Sequence, residues 1–223
     1  MTGHAHAPAA GGAAAAHEHT PAWQLVVAVT LSGAFAGALI AYVYQETLPA
    51  IERSADARIG GAVREVLAAP ARLDTLYLIG DTLSRTPPAG VELRAATKAF
   101  VGYDAAGRRT GVAVEAGAPG FTDQVRLMVG FNPATSTLTG YAMLSQIETP
   151  GLGDKIEKDS AFVAQFHGKV TPMTGTKSGT TDPHVVQTIT GATISSRVVI
   201  RIINNAVAQW QPRLAAFDQR SPR

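Results

Sequence analysis

The stretch Trp23–Tyr44, WQLVVAVTLSGAFAGALIAYVY, runs 22 residues without an Asp, Glu, Lys or Arg. At a helical rise of 1.5 Å per residue it spans about 33 Å, the thickness of a bilayer's hydrocarbon core. Thr20 and Pro21 fit a cap followed by a first-turn proline. Trp23, Tyr42 and Tyr44 stand at the ends, where aromatic rings favour the membrane interface. A cleaved signal peptide would carry a positive n-region and a shorter apolar run. A buried core helix is the other reading, but the run is too uniformly apolar and too close to the N-terminus. The sequence therefore predicts a single membrane anchor over 23–44, and the rest of the chain must fold beside it. Gly33 and Gly37 form a GxxxG pair that permits close approach of another membrane helix.

Residues 1–22, rich in Ala, Gly and His, cannot bury a core and read as a disordered tail. Its His4, His6, His17 and His19 are read as part of that tail rather than as metal ligands. Nineteen Lys and Arg against 17 Asp and Glu leave a net charge of +2, too small to argue for nucleic acid. With no cysteine, the chain has no disulfide, no thiolate nucleophile and no Cys-ligated iron–sulfur cluster of its own. No metal-ligand cluster and no triad-like pattern of Ser, His and Asp is evident, so neither a metal site nor a catalytic residue is assigned. Orientation is left open by charge alone. Arg53, Arg58 and Arg64 follow the anchor and the tail has no basic residue, which taken literally places the C-terminal part in the cytoplasm.

After the anchor, Ile51, Ala55, Ile59, Val63 and Val66/Leu67 recur at helical spacing and predict an amphipathic juxtamembrane helix over 45–69. Strand-like runs follow. KAFVGYDAAGRRTGVAVEA predicts a hairpin turning at Asp104–Gly107, and QVRLMVGFNPATSTLTGYAMLS a second turning at Asn132–Pro133. DSAFVAQFHG predicts a short helix capped at Asp159 or Ser160, and a longer helix is expected over Ile194–Trp210. The expected class is α+β: one transmembrane helix, then one domain over 70–212 with antiparallel hairpins and several helices, and a C-terminal tail over 213–223.

Two stretches carry chemistry. In SQIETPGLGDKIE, Pro150, Gly151 and Gly153 predict a tight loop whose backbone can approach a ligand closely, with Glu148, Thr149 and Lys155 at its edges; from the residues alone a plain surface loop is the favoured reading. The Lys-Ser/Thr ending of a P-loop is missing. In TITGATISSR, the hydroxyls of Thr190, Thr193, Ser195 and Ser196 gather just ahead of an apolar helical stripe. A helix N-terminus offers free N–H groups and partial positive charge suited to a phosphate. Gly191 and Ala192 remove bulk, so a large group could reach Thr193. From the residues alone the hydroxyls read either as a helix cap or as a site of covalent chemistry.

Both stretches resemble those of the FMN-binding domain in the G subunit of the Rnf ion-translocating electron-transport complex, and in the related C subunit of the sodium-translocating NADH–quinone reductase. ETPGLGDKIE, TGATISS and the single anchor occur in that family's order, and the charged GDKIE continuation and compact length favour the Rnf protein. The resemblance implies an electron-carrier subunit of an ion-translocating ferredoxin/NAD oxidoreductase, with FMN joined covalently by a phosphodiester to Thr193. It implies a flavin transferase during maturation, other membrane and peripheral subunits as partners, and no independent substrate turnover. It also implies a bacterial inner-membrane location, single-pass, with the FMN domain on the periplasmic side. Glu148, Thr149, Gly151, Leu152, Gly153, Lys155, Thr190, Gly191, Ala192, Ser195 and Ser196 are the expected cofactor-binding residues around Thr193, and Ser195 is a rival hydroxyl. Where the transferase motif usually carries Asp, this chain has Gln187. The alternatives are the C subunit of the sodium pump and a flavin-free, membrane-anchored assembly or binding module.

Overall fold

A computed structural model describes residues 21–220; the Ala/Gly/His-rich segment up to Thr20 and the last three residues lie outside it. The chain divides into two compact units, one ending at Glu52 and the other beginning at Arg53. Helix α1 (Ala22–Val66) runs through the boundary as one element, where the sequence had suggested an anchor and a separate juxtamembrane helix. Pro49 sits inside it and removes a single main-chain donor without ending it. In the first unit the apolar side chains of Trp23 through Tyr44 are exposed, and the helix is long and apolar enough to cross a membrane, with a mean hydropathy of 2.1 over its most apolar window. One apolar N-terminal helix of this kind fits a single-pass anchor.

The second unit is built on a six-stranded antiparallel sheet. Its strands are β1 (Arg72–Ile79), β2 (Thr82–Ser84), β3 (Lys98–Tyr103), β4 (Arg109–Pro119), β5 (Gln124–Asn132) and β6 (Thr137–Ser145), in the order β2-β1-β3-β4-β5-β6. Both expected hairpins form, for local reasons. Asp104 Oδ1 accepts from the N–H groups of Ala106 (2.9 Å) and Arg108 (2.8 Å), closing the β3–β4 turn. Asn132 Oδ1 accepts from Ala134 N (3.0 Å) at the β5–β6 turn. Such Asx turns are why Asp and Asn hold these positions.

Each face of the sheet has its own helical cover. On one face Val112, Val114, Val125, Leu127, Val129 and Phe131 pack with α4 (Thr193–Arg220) through Val199, Ile202, Ile203, Val207 and Trp210. On the other, the end of α1 lays Ala62, Val63, Val66 and Leu67 on Ala113, Met128, Ala142 and Leu144. Alternating strand side chains supply both faces, so the middle of the sheet is buried on both sides. Of the expected juxtamembrane stripe, Val63, Val66 and Leu67 are buried and Ile59 packs at their margin, whereas Ile51 is exposed. The expected tail over 213–223 is corrected. Helix α4 continues through Pro212 to Arg220, because Leu214 still belongs to the core and Arg213 and Asp218 pair with Asp81 and Arg109.

Between β6 and α4 lie two short helices, α2 (Lys155–Lys158) and α3 (Ser160–Ala164), then β7 (Thr174–Thr176) and β8 (Val185–Gln187), which pair in parallel. The cap of α3 is Asp159, which accepts from Ala161 N and Phe162 N. Buried Tyr141 donates its hydroxyl to the carbonyl of Ile156, tying α2 to β6; burial pushes its phenol well above the usual range. The approach to α4 is fixed by Thr188, whose N–H (2.7 Å) and hydroxyl (3.0 Å) both donate to Thr176 O.

Candidate functional site

The loop after β6 and the first turn of α4 are far apart in sequence, yet they meet around one cavity of about 360 Å³. Thr149, Leu152 and Gly153 come from the loop; Gly191, Ala192, Thr193, Ile194 and Ser195 come from the helix start. Phe121, in the β4–β5 turn, closes the third side. Phe121, Leu152 and Ile194 are 65%, 46% and 56% exposed, so three large apolar side chains face solvent around one opening. Converging exposed apolar groups mark a surface made to be covered.

The loop is a compact turn. Thr149 O accepts from the N–H groups of Leu152 (3.2 Å) and Gly153 (2.9 Å). A Cβ on Gly153 would lie 2.8 Å from Glu148 Cβ and 3.0 Å from Ser195 Oγ, so only glycine lets the loop approach α4 this closely. Asp154 lies beneath it, and its hydrogen bond with Lys158 (2.8 Å) holds the carboxyl below the usual range.

At the helix start, Gly191 has φ +84°, a left-handed backbone that turns the chain into α4. Helical bonding begins with Ser196 N donating to Ala192 O (3.0 Å). The N–H groups of Thr193, Ile194 and Ser195 therefore have no acceptor within the helix. The hydroxyls divide into two kinds. Ser196 is fully buried, donates to Ala192 O (2.9 Å) and accepts from Ile189 N (3.0 Å), so it builds the turn. Ser195 is buried and donates to Glu148 Oε2 at 2.5 Å. Thr193 is half-buried on the cavity wall, and among the described residues its hydroxyl has no hydrogen-bond partner. The expected side-chain cap does not form, since among the described residues no hydroxyl accepts from the first N–H groups of α4; Ser196 closes the turn instead. Of the hydroxyls on the first turn of α4, that of Thr193 is left without a partner among the described residues; so, ahead of the helix, is that of Thr190, which is exposed outside the cavity.

Six of the expected residues line the cavity beside Thr193: Thr149, Leu152, Gly153, Gly191, Ala192 and Ser195. Glu148 stands one contact behind, through Ser195. Gly151, Lys155, Thr190 and Ser196 do not line it. Phe121 and Ile194 were missed. An exposed phenylalanine in the Gly-Phe-Thr-Asp turn was the available signal for the first, and Ile194 reads from sequence as ordinary helix. A second cavity, about 400 Å³, lies over the sheet between Ile59, Phe100 and Arg126. Its charges are largely paired with one another or nearby, Arg126 with Glu115 and Arg94 with Asp56, and it holds none of these hydroxyls.

Three apolar walls, a free hydroxyl and a set of unpaired N–H groups fit a flat aromatic group carrying a phosphate. The comparisons define the same class: the FMN-binding domain family matches residues 120–208, which contain both stretches. The fold is that of Shewanella oneidensis NqrC (TM-score 0.54, 18% identity, covering 69% of this chain and 88% of that one). It is also that of the C subunit of the sodium-translocating NADH–quinone reductase of Parabacteroides distasonis (TM-score 0.58, 16% identity, 76% and 96%). By sequence the chain is 32% identical over 173 residues to the G subunit of the ion-translocating oxidoreductase complex of Shewanella oneidensis, covering 76% of this chain and 80% of the relative. It is 29% identical over 185 residues to the corresponding protein of Methanosarcina acetivorans, covering 82% and 92%. The chain belongs to the G-subunit family of ion-translocating oxidoreductase complexes.

Proposed function

We propose that this protein is a membrane-anchored electron-carrier subunit of an Rnf-type ion-translocating ferredoxin/NAD oxidoreductase, working through FMN joined to Thr193 by a phosphodiester. The observation that carries the reading is the position of the Thr193 hydroxyl, free on the cavity wall at the N-terminus of α4, where those of Ser195 and Ser196 are engaged; that of Thr149, also without a partner among the described residues, lies in the loop and not at the helix start. FMN supplies a ring system that takes up and gives out one or two electrons. Phe121, Leu152 and Ile194 would flank the ring system, and the N–H groups of the first turn would face the phosphate. Attachment is a displacement at an activated flavin phosphate delivered by a transferase. Thr193 Oγ1 would supply the nucleophile, and the transferase would take up its proton and release the group displaced from the flavin phosphate.

The test is denaturing electrophoresis of the chain made together with its transferase. The wild-type band should fluoresce, Thr193→Ala should be dark, and Ser195→Ala should keep its fluorescence. A fluorescent Thr193→Ala band would remove Thr193 from the role, and a dark wild-type band would favour a flavin-free assembly module.

We place the FMN domain on the periplasmic side of a bacterial inner membrane, following the family resemblance. Of the arginines that argue otherwise, Arg58 donates to Leu144 O (2.9 Å) and so belongs to the folded unit. A domain of this length can be translocated whatever its flanking charge. Because the chain has no cysteine, Thr135→Cys in the exposed β5–β6 turn gives a single label site. It should react with a membrane-impermeant thiol reagent from the periplasm; reaction only after the inner membrane is opened would reverse the assignment.

A further inference from the structure

We infer that Glu148 is a positioning residue that clasps the three walls of the flavin cavity; this rests on the reading of Thr193 as the attachment site. The residue is 5% exposed, and both carboxylate oxygens are committed to protein donors. Glu148 Oε1 accepts from the backbone N–H groups of Phe121 (2.9 Å) and Thr122 (3.2 Å). Glu148 Oε2 accepts from the Ser195 hydroxyl at 2.5 Å. These donors belong to the β4–β5 turn and to the first turn of α4, and the carboxylate itself belongs to the loop after β6. Each segment supplies one wall: Phe121, then Leu152 and Gly153, then Thr193 and Ile194.

A carboxylate is a costly group to bury, and among the described residues no Lys or Arg hydrogen-bonds to this one. Three donors and the positive end of α4 are what make its burial tolerable, since hydrogen bonds to an ionised acceptor are the strong ones. The packing around it has no slack. A Cβ on Gly153 would come within 2.9 Å of Glu148 Oε2, and one on Gly120 would clash with Glu148 Oε1. The same bond explains why Ser195, 3% exposed, is a wall-holder while Thr193 two residues earlier is free. Glu148 therefore acts on the cofactor through Phe121 and Ser195, by fixing the spacing of the walls.

The experiment uses the full-length chain in detergent, made with its flavin transferase, as wild type, Glu148→Gln, Glu148→Ala and Ser195→Ala. The readouts are the fluorescence anisotropy of the attached flavin in the folded protein, fragment mapping of the flavinylated peptide, and the thermal midpoint. A glutamine keeps every contact, its carbonyl accepting the two N–H groups and its amide donating to Ser195 Oγ. Glu148→Gln should accordingly match wild type in anisotropy. Glu148→Ala and Ser195→Ala should keep the flavin on Thr193 but lose about half of the wild-type anisotropy, as a fixed group gains nanosecond loop motion. Unchanged anisotropy in both would overturn the clasp, and so would a Glu148→Gln value as low as that of Glu148→Ala. Should Glu148→Ala not fold, Ser195→Ala against Glu148→Gln decides alone. A wild-type map without flavin on Thr193 would sink the proposed function instead, and is read before any variant.

Discussion

The first turn of α4 and the stretch behind it share one helix and are built in opposite ways. From Val198 to Leu214 the inward side chains are buried against the sheet, each apolar group among apolar partners. From Thr193 to Ser195 the backbone donors lack acceptors within the helix, one hydroxyl has no hydrogen-bond partner among the described residues, and Ile194 is turned out to solvent. Where contacts are complete, a residue contributes to stability; where they are left incomplete on a well-held frame, the missing partner comes from outside the chain. The two regions should therefore respond to mutation in opposite senses.

The sharpest contrast comes from Ile203→Ala. Ile203 is fully buried between α4 and the sheet, and truncating such a residue costs about 2–5 kcal/mol through lost burial and the cavity left behind. The thermal midpoint should drop well below wild type, while the flavin carried per folded molecule stays the same. A midpoint within a degree or two of wild type would mean that the stripe is not the core of the domain.

A smaller effect is expected at the loop, and only over part of the pH range. The hydrogen bond from Lys158 holds the Asp154 carboxyl below its ordinary value. A carboxyl with a lowered folded-state pKa adds stability that is present above its unfolded value, about 3.9, and is lost as pH falls from there through the folded value. Wild type should thus melt above Asp154→Asn at pH 6, with the gap closing below about pH 4. A gap that persisted undiminished well below that window would show that the carboxyl's charge is not what matters. Because Asp154 sits under the Gly153 loop, the comparison also separates the strength of the loop from that of the helix stripe.

The parts legible in the sequence were those with a local cause. The apolar run of α1, the Asp104 and Asn132 turns, the Asp159 cap and the helical stripe of α4 each announce themselves within a few residues. What escaped depends on distant partners. Strands β7 and β8 are three residues each and exist through their pairing and the hold of Thr188 on Thr176, so no period marks them. Strand β1 carries Asp74 and Thr75 beside Leu73 and Leu76, and its place is set by pairing with β3. Helix α4 outruns Pro212 because Leu214 is buried and two ion pairs hold its end. At the site, the motifs were readable and their division of labour was not. Glu148 finds donors 26, 27 and 47 positions away, and Phe121 reaches the cavity from a turn outside both motifs.

The smallest structural change carries the largest functional one. In Thr193→Val a methyl replaces the hydroxyl, the β-branched shape is kept, and no described hydrogen bond is lost. Substitutions of that kind stay within about 0.5 kcal/mol of wild type, because no buried partner is stranded and no cavity opens. The sequence alone had suggested a lost cap of about 1 kcal/mol, but the bonds that close this turn belong to Ser196. The variant should therefore insert, melt with wild type and join its partner subunits. With no oxygen to bond to phosphorus it should carry no covalent flavin, and NADH- or ferredoxin-linked electron flow through the assembled complex should stop. The measurement is the subunit composition and steady-state flux of the complex purified from the variant and from wild type. Normal flux in an intact complex would rule out a required relay at Thr193. A complex that lacked this protein would break the contrast itself, because the first turn of α4 would then be as much a part of the scaffold as the stripe behind it.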